Sequence, residues 1–149
     1  MKILVTGCFG FIGFNFINKI IQDYSDEAKI VGIDSLQNKC SIQNLNRSED
    51  YKNFTFFEND INNINSLEIN DIDTIINFAA ESHVDNSIYN PGLFIDSNIK
   101  GVSELLKFAM KKMSKNLYMS QLTKYMVVLT KTFLTKMINL ILHHHILHQ

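Results

Sequence analysis

Apolar residues follow two rhythms along this chain. Ile3-Leu4-Val5 is a short apolar run that stops at Thr6-Gly7. A run of that length ending in glycine predicts a buried strand rather than a helix. From Phe11 to Tyr24 the rhythm changes. Ile12, Phe16, Ile20 and Tyr24 fall four apart, with Ile17 and Ile21 beside them, which predicts one apolar helical face. Ile30 to Ile33 predicts a second strand, ending at Asp34. Residues 35–52 are polar and Asn-rich, a loop with at most one short helix. Phe54 to Phe57 predicts a third strand, closed by Asn59-Asp60, and Ile72 to Phe78 a fourth, ending in Ala79-Ala80. After Pro91 a helix is predicted from about Leu93 through Met110, with Val102, Leu105, Leu106 and Ala109 as its buried stripe.

Strands apolar on both faces, alternating with helices, specify an α/β fold with a parallel sheet covered on both sides. The expectation is a partial Rossmann-type doubly wound sheet made of its first four strands. Right-handed crossovers then put a crevice at the carboxyl ends of the strands. The pattern breaks near Met113. From Met113 to Gln149 there is no Gly, Pro, Asp or Glu. Residues 1–112 are therefore read as the α/β domain, and 113–149 as a separate, non-native tail. Leu122, Met126, Leu129, Phe133, Met137, Leu140 and Ile141 keep helical spacing in that tail. Lys124, Lys131 and Lys136 interrupt it, which argues against a membrane anchor. His143-His144-His145 do not share a helix face, so no metal site is expected there.

Composition narrows the partners. With 149 residues, 46% of them apolar, the chain can build one domain with a real core. A net charge of -1 gives no electrostatic case for nucleic acid or an anionic membrane surface. Cys8 and Cys40 form neither a disulfide framework nor a metal pattern, so a reducing, cytoplasmic location is expected. The opening apolar run is broken by glycines and does not read as a signal peptide.

Three motifs carry candidate chemistry. Gly7-Cys8-Phe9-Gly10-Phe11-Ile12-Gly13 lies between a predicted strand and a predicted helix, the context that gives a glycine pattern meaning. Gly7 suits the tight turn, Gly10 lets backbone approach a pyrophosphate, and Gly13 lets the helix pack close on the strand. The helix N-terminus then faces the phosphates. Asp34 ends the second strand about 20 residues after the last glycine, where an acid would accept a hydrogen bond from a ribose 2′-OH. A carboxylate there repels a 2′-phosphate, so NAD is expected rather than NADP. Phe78 through Asp85 (FAAESHVD) puts two small residues and then a polar cluster at a strand end.

That last run, with Ser87-Ile88 and Pro91, resembles the dTDP-glucose 4,6-dehydratases. So do the opening KILVTG with GFIG, Asp60-Ile61, and Asp96 through Gly101 before Leu105-Leu106. The resemblance covers essentially residues 1–112. It implies an NAD-dependent lyase of the extended short-chain dehydrogenase/reductase type, acting on a nucleotide sugar and forming homodimers. It further implies that Phe11 and Ile12 line the pyrophosphate turn and that Asp34, Ser35, Leu36 and Gln37 hold the adenosine ribose. Asp60 and Ile61 would flank the adenine. Ala79, Ala80, Glu81 and Ser82 would run past the nicotinamide ribose and phosphates. Ser82 and His83 would approach the sugar nucleotide, and Ser97 would replace a cofactor-contacting threonine. The chain departs from the family at Cys8 and Phe9, where small residues are usual, at Phe14 in place of Ser, and at Asn86 in place of Arg.

The resemblance also implies a Tyr-x-x-x-Lys base and a Thr-Asp-Glu acid–base pair, and this chain contains neither. No catalytic residue is therefore assigned. The genetic code suggests why. Joining the third base of each codon from Tyr118 onward to the first two of the next permits His-Val-Ser-Thr-Asp-Glu-Val-Tyr-Gly. Met126-Val127 forces the closing GGT. Asn139 to His148 permit a second string, LNPSSPYSAS, which contains a tyrosine. Both resemble the family's own next segments. A single frame slip between about Met110 and Tyr118 is inferred. The expectation is an inactive, truncated dehydratase-like chain. The alternatives are a non-catalytic NAD-binding module and a piece of a related nucleotide-sugar epimerase or decarboxylase.

Overall fold

A computed structural model describes residues 1–24, 27–37, 39–82, 88–112 and 116–119. Among the described residues five strands form one parallel sheet: β1 (Lys2–Thr6), β2 (Lys29–Asp34), β3 (Phe54–Glu58), β4 (Thr74–Asn77) and β5 (Asn116–Met119). Their spatial order is β3-β2-β1-β4-β5. Thr6 at the end of β1 is level with Ile33 on one side and Asn77 on the other. The order reverses direction at β1, so β1 is the switch point of the sheet.

The helices are α1 (Phe11–Tyr24), α2 (Lys39–Arg47), α3 (Pro91–Ile95) and α4 (Val102–Lys112). A 3-10 turn spans Ile61–Ser66, and a π-helical turn, Asp96–Gly101, joins α3 to α4. The predicted helix is thus present but longer at both ends, and its winding changes in the middle. Strands β1 to β4 lie where the apolar runs put them. The sheet does not stop at four, however. β5 pairs in parallel with β4 beyond residue 112. Leu117 packs toward one face and Tyr118 toward the other, the alternation a two-sided strand requires.

Each face of the sheet has its own core. Ile3, Val5, Ile30 and Ile76 meet Phe16, Ile17 and Ile20 of α1. Leu4, Val31, Ile33 and Ile75 meet Ile61, Ile64, Leu105 and Phe108. The stripe of α4 differs from the expectation. Leu105, Phe108 and Ala109 are buried, Val102 is half-buried, and Leu106 is 44% exposed. Leu105, Phe108 and Ala109 share one face at i, i+3, i+4 spacing, and it is this face that meets the sheet. Phe108 is fully buried. Phe108→Ala is therefore expected to cost about 3–5 kcal/mol of stability, measured by urea unfolding. A loss under about 1 kcal/mol would show that the face is not packed as described.

Candidate functional site

The carboxyl ends of β1, β2 and β4 open onto a crevice with about 670 Å³ of atom-free space, part of it facing solvent. Its floor is the turn from β1 into α1. Gly7 sits there at φ +63°, a left-handed conformation that costs other residues energy. A methyl on Gly7 would lie 2.5 Å from the Ala79 nitrogen, and one on Gly13 would run into the Gly7 carbonyl. One on Gly10 would meet only the Gly7 oxygen at 3.3 Å. Gly7 and Gly13 thus let backbone pack on backbone, while Gly10 faces the crevice. The first turn of α1 starts beside it, with the Phe14 N–H donating to the Gly10 carbonyl at 2.9 Å. The preceding N–H groups have no earlier helical turn to donate to, and such a helix start suits an anion.

Asp34 forms the β2 side of the crevice and is 9% exposed. Its Oδ2 accepts from the Phe9 N–H at 2.9 Å and its Oδ1 from the Leu36 N–H at 2.9 Å. The carboxylate ties the glycine turn to the loop after β2, and each oxygen keeps a lone pair for a further donor. Leu36 holds φ 54°, packs toward the α1 core and stands outside the crevice wall. Ser35 and Gln37 line it. Asp60 and Ile61 line it too. Asp60 caps the 3-10 turn through the Asn62 N–H at 2.8 Å, so part of its acceptor capacity is structural.

On the β4 side the wall is Ala79, Ala80 and Glu81, faced by Ser97 from the π turn. Asn98 clamps that wall. Its Oδ1 accepts from the Glu81 N–H and its Nδ2 donates to the Glu81 carbonyl, both at 2.9 Å. Phe11, Ile12, Gly13 and Ser82 flank the crevice rather than line it. Phe11 is 71% exposed and Ile12 leans on the core. His83, expected at the sugar, lies outside the described residues.

Sequence spacing also missed wall residues. Thr6, Ser41, Asn59 and Phe78 line the crevice. Thr6 was findable, since it ends β1 at the switch point; its hydroxyl donates to the side-chain oxygen of Asn77 at the end of β4. Among the described residues no cluster of three His, Cys, Asp or Glu could hold a metal ion, and no helix is long and apolar enough to cross a membrane.

The thiol of Cys8 lies fully buried beside this site. Burial, and then the Asp34 charge, push its pKa well above the ordinary 9.0. The folded thiol therefore holds its proton where an unfolded one has lost it. Its stabilising contribution is complete below about pH 9 and fades as pH rises further. In a Cys40→Ser background, unfolding free energy is expected to fall above pH 9, with a shallower fall once Cys8→Ala is added. Iodoacetamide should label Cys8 only as fast as the chain unfolds. Rapid labelling of the folded protein at pH 8 would contradict this burial.

A family model described as GDP-mannose 4,6 dehydratase matches residues 4–126. A trifunctional UDP-glucose 4,6-dehydratase/UDP-4-keto-6-deoxy-D-glucose 3,5-epimerase/UDP-4-keto-L-rhamnose-reductase of Arabidopsis thaliana is 43% identical over 110 residues, covering 71% of this chain and 16% of that one. A dTDP-glucose 4,6-dehydratase of Salmonella typhimurium is 38% identical over 117 residues, covering 74% and 31%. The crystal structure of a dTDP-glucose 4,6-dehydratase double mutant from Streptomyces venezuelae, solved with NAD bound, superposes with TM-score 0.70 at 33% identity, covering 78% and 38%. The chain thus spans well under half the length of each of these proteins. With most of its residues matched by the family model, and with a fold that superposes on a dTDP-glucose 4,6-dehydratase, the chain belongs to the GDP-mannose 4,6 dehydratase family of extended short-chain dehydrogenases/reductases.

Proposed function

We propose that residues 1–112 are the NAD-binding half of a nucleotide-sugar 4,6-dehydratase, and that residues 113–149 are an out-of-frame tail without the catalytic groups. The observation that carries the binding half is the crevice floor. Gly10 is open where Gly7 and Gly13 are closed, and Asp34 stands beside it at the end of β2. A pyrophosphate over Gly10 and the start of α1, with a ribose hydroxyl donating to Asp34, fits the residues present. The strand order supports the rest of the reading: with the adenosine at β2 and the phosphates at β1, the nicotinamide half is assigned toward β4, along Ala79 to Ser82 and opposite Ser97. Bound there, NAD would supply a hydride acceptor for a sugar carbon. The dehydratase branch, rather than an epimerase or decarboxylase, is favoured by the Glu81-Ser82-His83-Val84-Asp85 run. Ser82 and His83 are assigned to the sugar nucleotide on the same ground, and dTDP-glucose is the substrate proposed for the intact protein. A cytoplasmic location suits a ligand set of this kind.

Calorimetry with NAD tests the binding half. Wild-type chain is expected to bind NAD. Gly10→Ala should unfold at a similar temperature and bind at least about tenfold more weakly, a loss of about 1.4 kcal/mol. Undiminished affinity in Gly10→Ala would remove the phosphate assignment. The missing Thr-Asp-Glu and Tyr-x-x-x-Lys groups favour a second reading, a non-catalytic NAD-binding module. It shares the binding result and differs in predicting a stable, monodisperse chain with a role of its own.

A further inference from the structure

Phe9 sits in the glycine turn, yet it is fully buried. Its ring lies 4.8 Å from Phe56, 5.9 Å from Phe54 and 6.3 Å from Phe14, centroid to centroid. The pairs are tilted or edge-on, the arrangements aromatic rings favour. Its backbone is held as well. The Phe9 N–H donates to Asp34 Oδ2 at 2.9 Å, and the Phe9 carbonyl accepts from Asn44 Nδ2 of α2 at 2.8 Å. One residue of the turn is thus attached to β3 and α1 through its ring, to β2 through its N–H and to α2 through its carbonyl. Room for this was made at Gly32 on β2, where a methyl would come within 2.7 Å of the Phe54 ring and 2.8 Å of the Cys8 sulfur.

We propose that Phe9 is a positioning residue that pre-organises the phosphate turn and Asp34 before ligand arrives, an inference that rests on the dinucleotide reading above. A glycine-rich turn has much backbone freedom to lose when it closes on a ligand. Here the residue next to Gly10 is already immobilised, so less of that cost falls on binding. The Phe9 N–H also fixes which way the Asp34 carboxylate faces, which sets the lone pairs left for a ribose hydroxyl. Phe9 touches no ligand in this scheme; it acts through Gly10 and Asp34.

The probe is ADP, which carries the adenosine and both phosphates but nothing that reaches β4. Affinity is measured by calorimetry on folded protein, well below each variant's melting temperature. Phe9→Ala is expected to weaken ADP binding at least about tenfold, and Asn44→Ala about three- to tenfold. Asn44→Ala opens no core cavity, so it decides the matter if Phe9→Ala does not fold. Phe9→Leu should recover part of the affinity. Phe108→Ala supplies the contrast. It destabilises the opposite face of the sheet and should leave ADP affinity within about twofold. Equal ADP affinity in wild type, Asn44→Ala and Phe9→Ala would overturn the proposal while leaving the dinucleotide reading in place. So would an equal loss in Phe108→Ala, since that would mark a general loosening. A wild-type chain that binds neither ADP nor NAD would sink both.

Discussion

A methyl group added at Gly7 or Gly13 is expected to remove a large share of the stability of this domain, whereas one at Gly10 is not. At Gly7 two costs add. The left-handed φ of +63° costs an alanine about 1–2 kcal/mol. The methyl must also displace the backbone of Ala79, 2.5 Å away at its nitrogen, and overpacking of this sort costs about 1–3 kcal/mol or more. At Gly13 the local preference runs the other way. Alanine is better than glycine inside a helix by about 1 kcal/mol, so propensity alone predicts that Gly13→Ala stabilises α1. The Gly7 carbonyl occupies the place of the new methyl, and neither backbone can step aside without opening the β1–α1 turn. Losses of about 3 kcal/mol or more are expected at both positions, against a total of about 5–15 kcal/mol for a domain. Urea unfolding followed by circular dichroism measures them. A Gly13→Ala chain as stable as wild type would show that α1 does not lie this close to the turn.

That contrast among three glycines was only half legible in the sequence. The motif identified them together, and its strand-to-helix setting assigned each a task. What spacing could not show is that the tight turn at Gly7 is also the point where β1's loop meets the end of β4. The strands themselves were legible because β1 to β4 are apolar on both faces, which short runs such as Ile3-Leu4-Val5 display directly. β5 was not, because no Gly, Pro or Asp separates Asn116 to Met119 from the preceding helix, and weak punctuation reads as a continuing tail. The stripe of α4 was misplaced for a different reason. Leu105 can share a helical face with either Leu106 and Val102 or Phe108 and Ala109, both at helical spacing, and apolar spacing alone does not say which of the two turns toward the sheet. Asp34 was found by its distance from the glycines. Its bonds to the Phe9 and Leu36 N–H groups depend on how two loops meet, and no periodicity encodes that. The same limit hid Asn98, whose side chain clamps Glu81 from 17 positions away.

Moving the reading frame by one base between codons 110 and 120, in a gene that continues past codon 149, is the change we propose would place catalytic groups beside this binding domain. The 149-residue chain offers the crevice no Thr-Asp-Glu and no Tyr-x-x-x-Lys. Each positioned acid or base contributes about 10²–10⁴-fold to a reaction of this kind, so a chain without them is expected to be slower than the restored enzyme by at least that factor. The shifted frame permits the acid–base pair at codons 122 to 124, a few residues past the end of β5 at Met119. The fifth strand is what would carry those groups to the crevice, because chemistry in such sheets sits at the carboxyl ends of the strands. Both versions should be expressed and given dTDP-glucose with NAD, and the 4-keto-6-deoxy product followed by absorbance. The restored protein, carried on through the codons that follow 149, should turn over and the 149-residue chain should not, while both bind NAD. Changing the restored Asp and Glu to Asn and Gln should return the first to the level of the second. Turnover by the 149-residue chain at the restored rate would end the proposal, because groups encoded out of frame cannot then be what the reaction needs. A transcript whose bases forbid the Thr-Asp-Glu reading would end it sooner, leaving β5 as a strand that completes the sheet and no encoded acid–base pair beside Ala79 and Ser97.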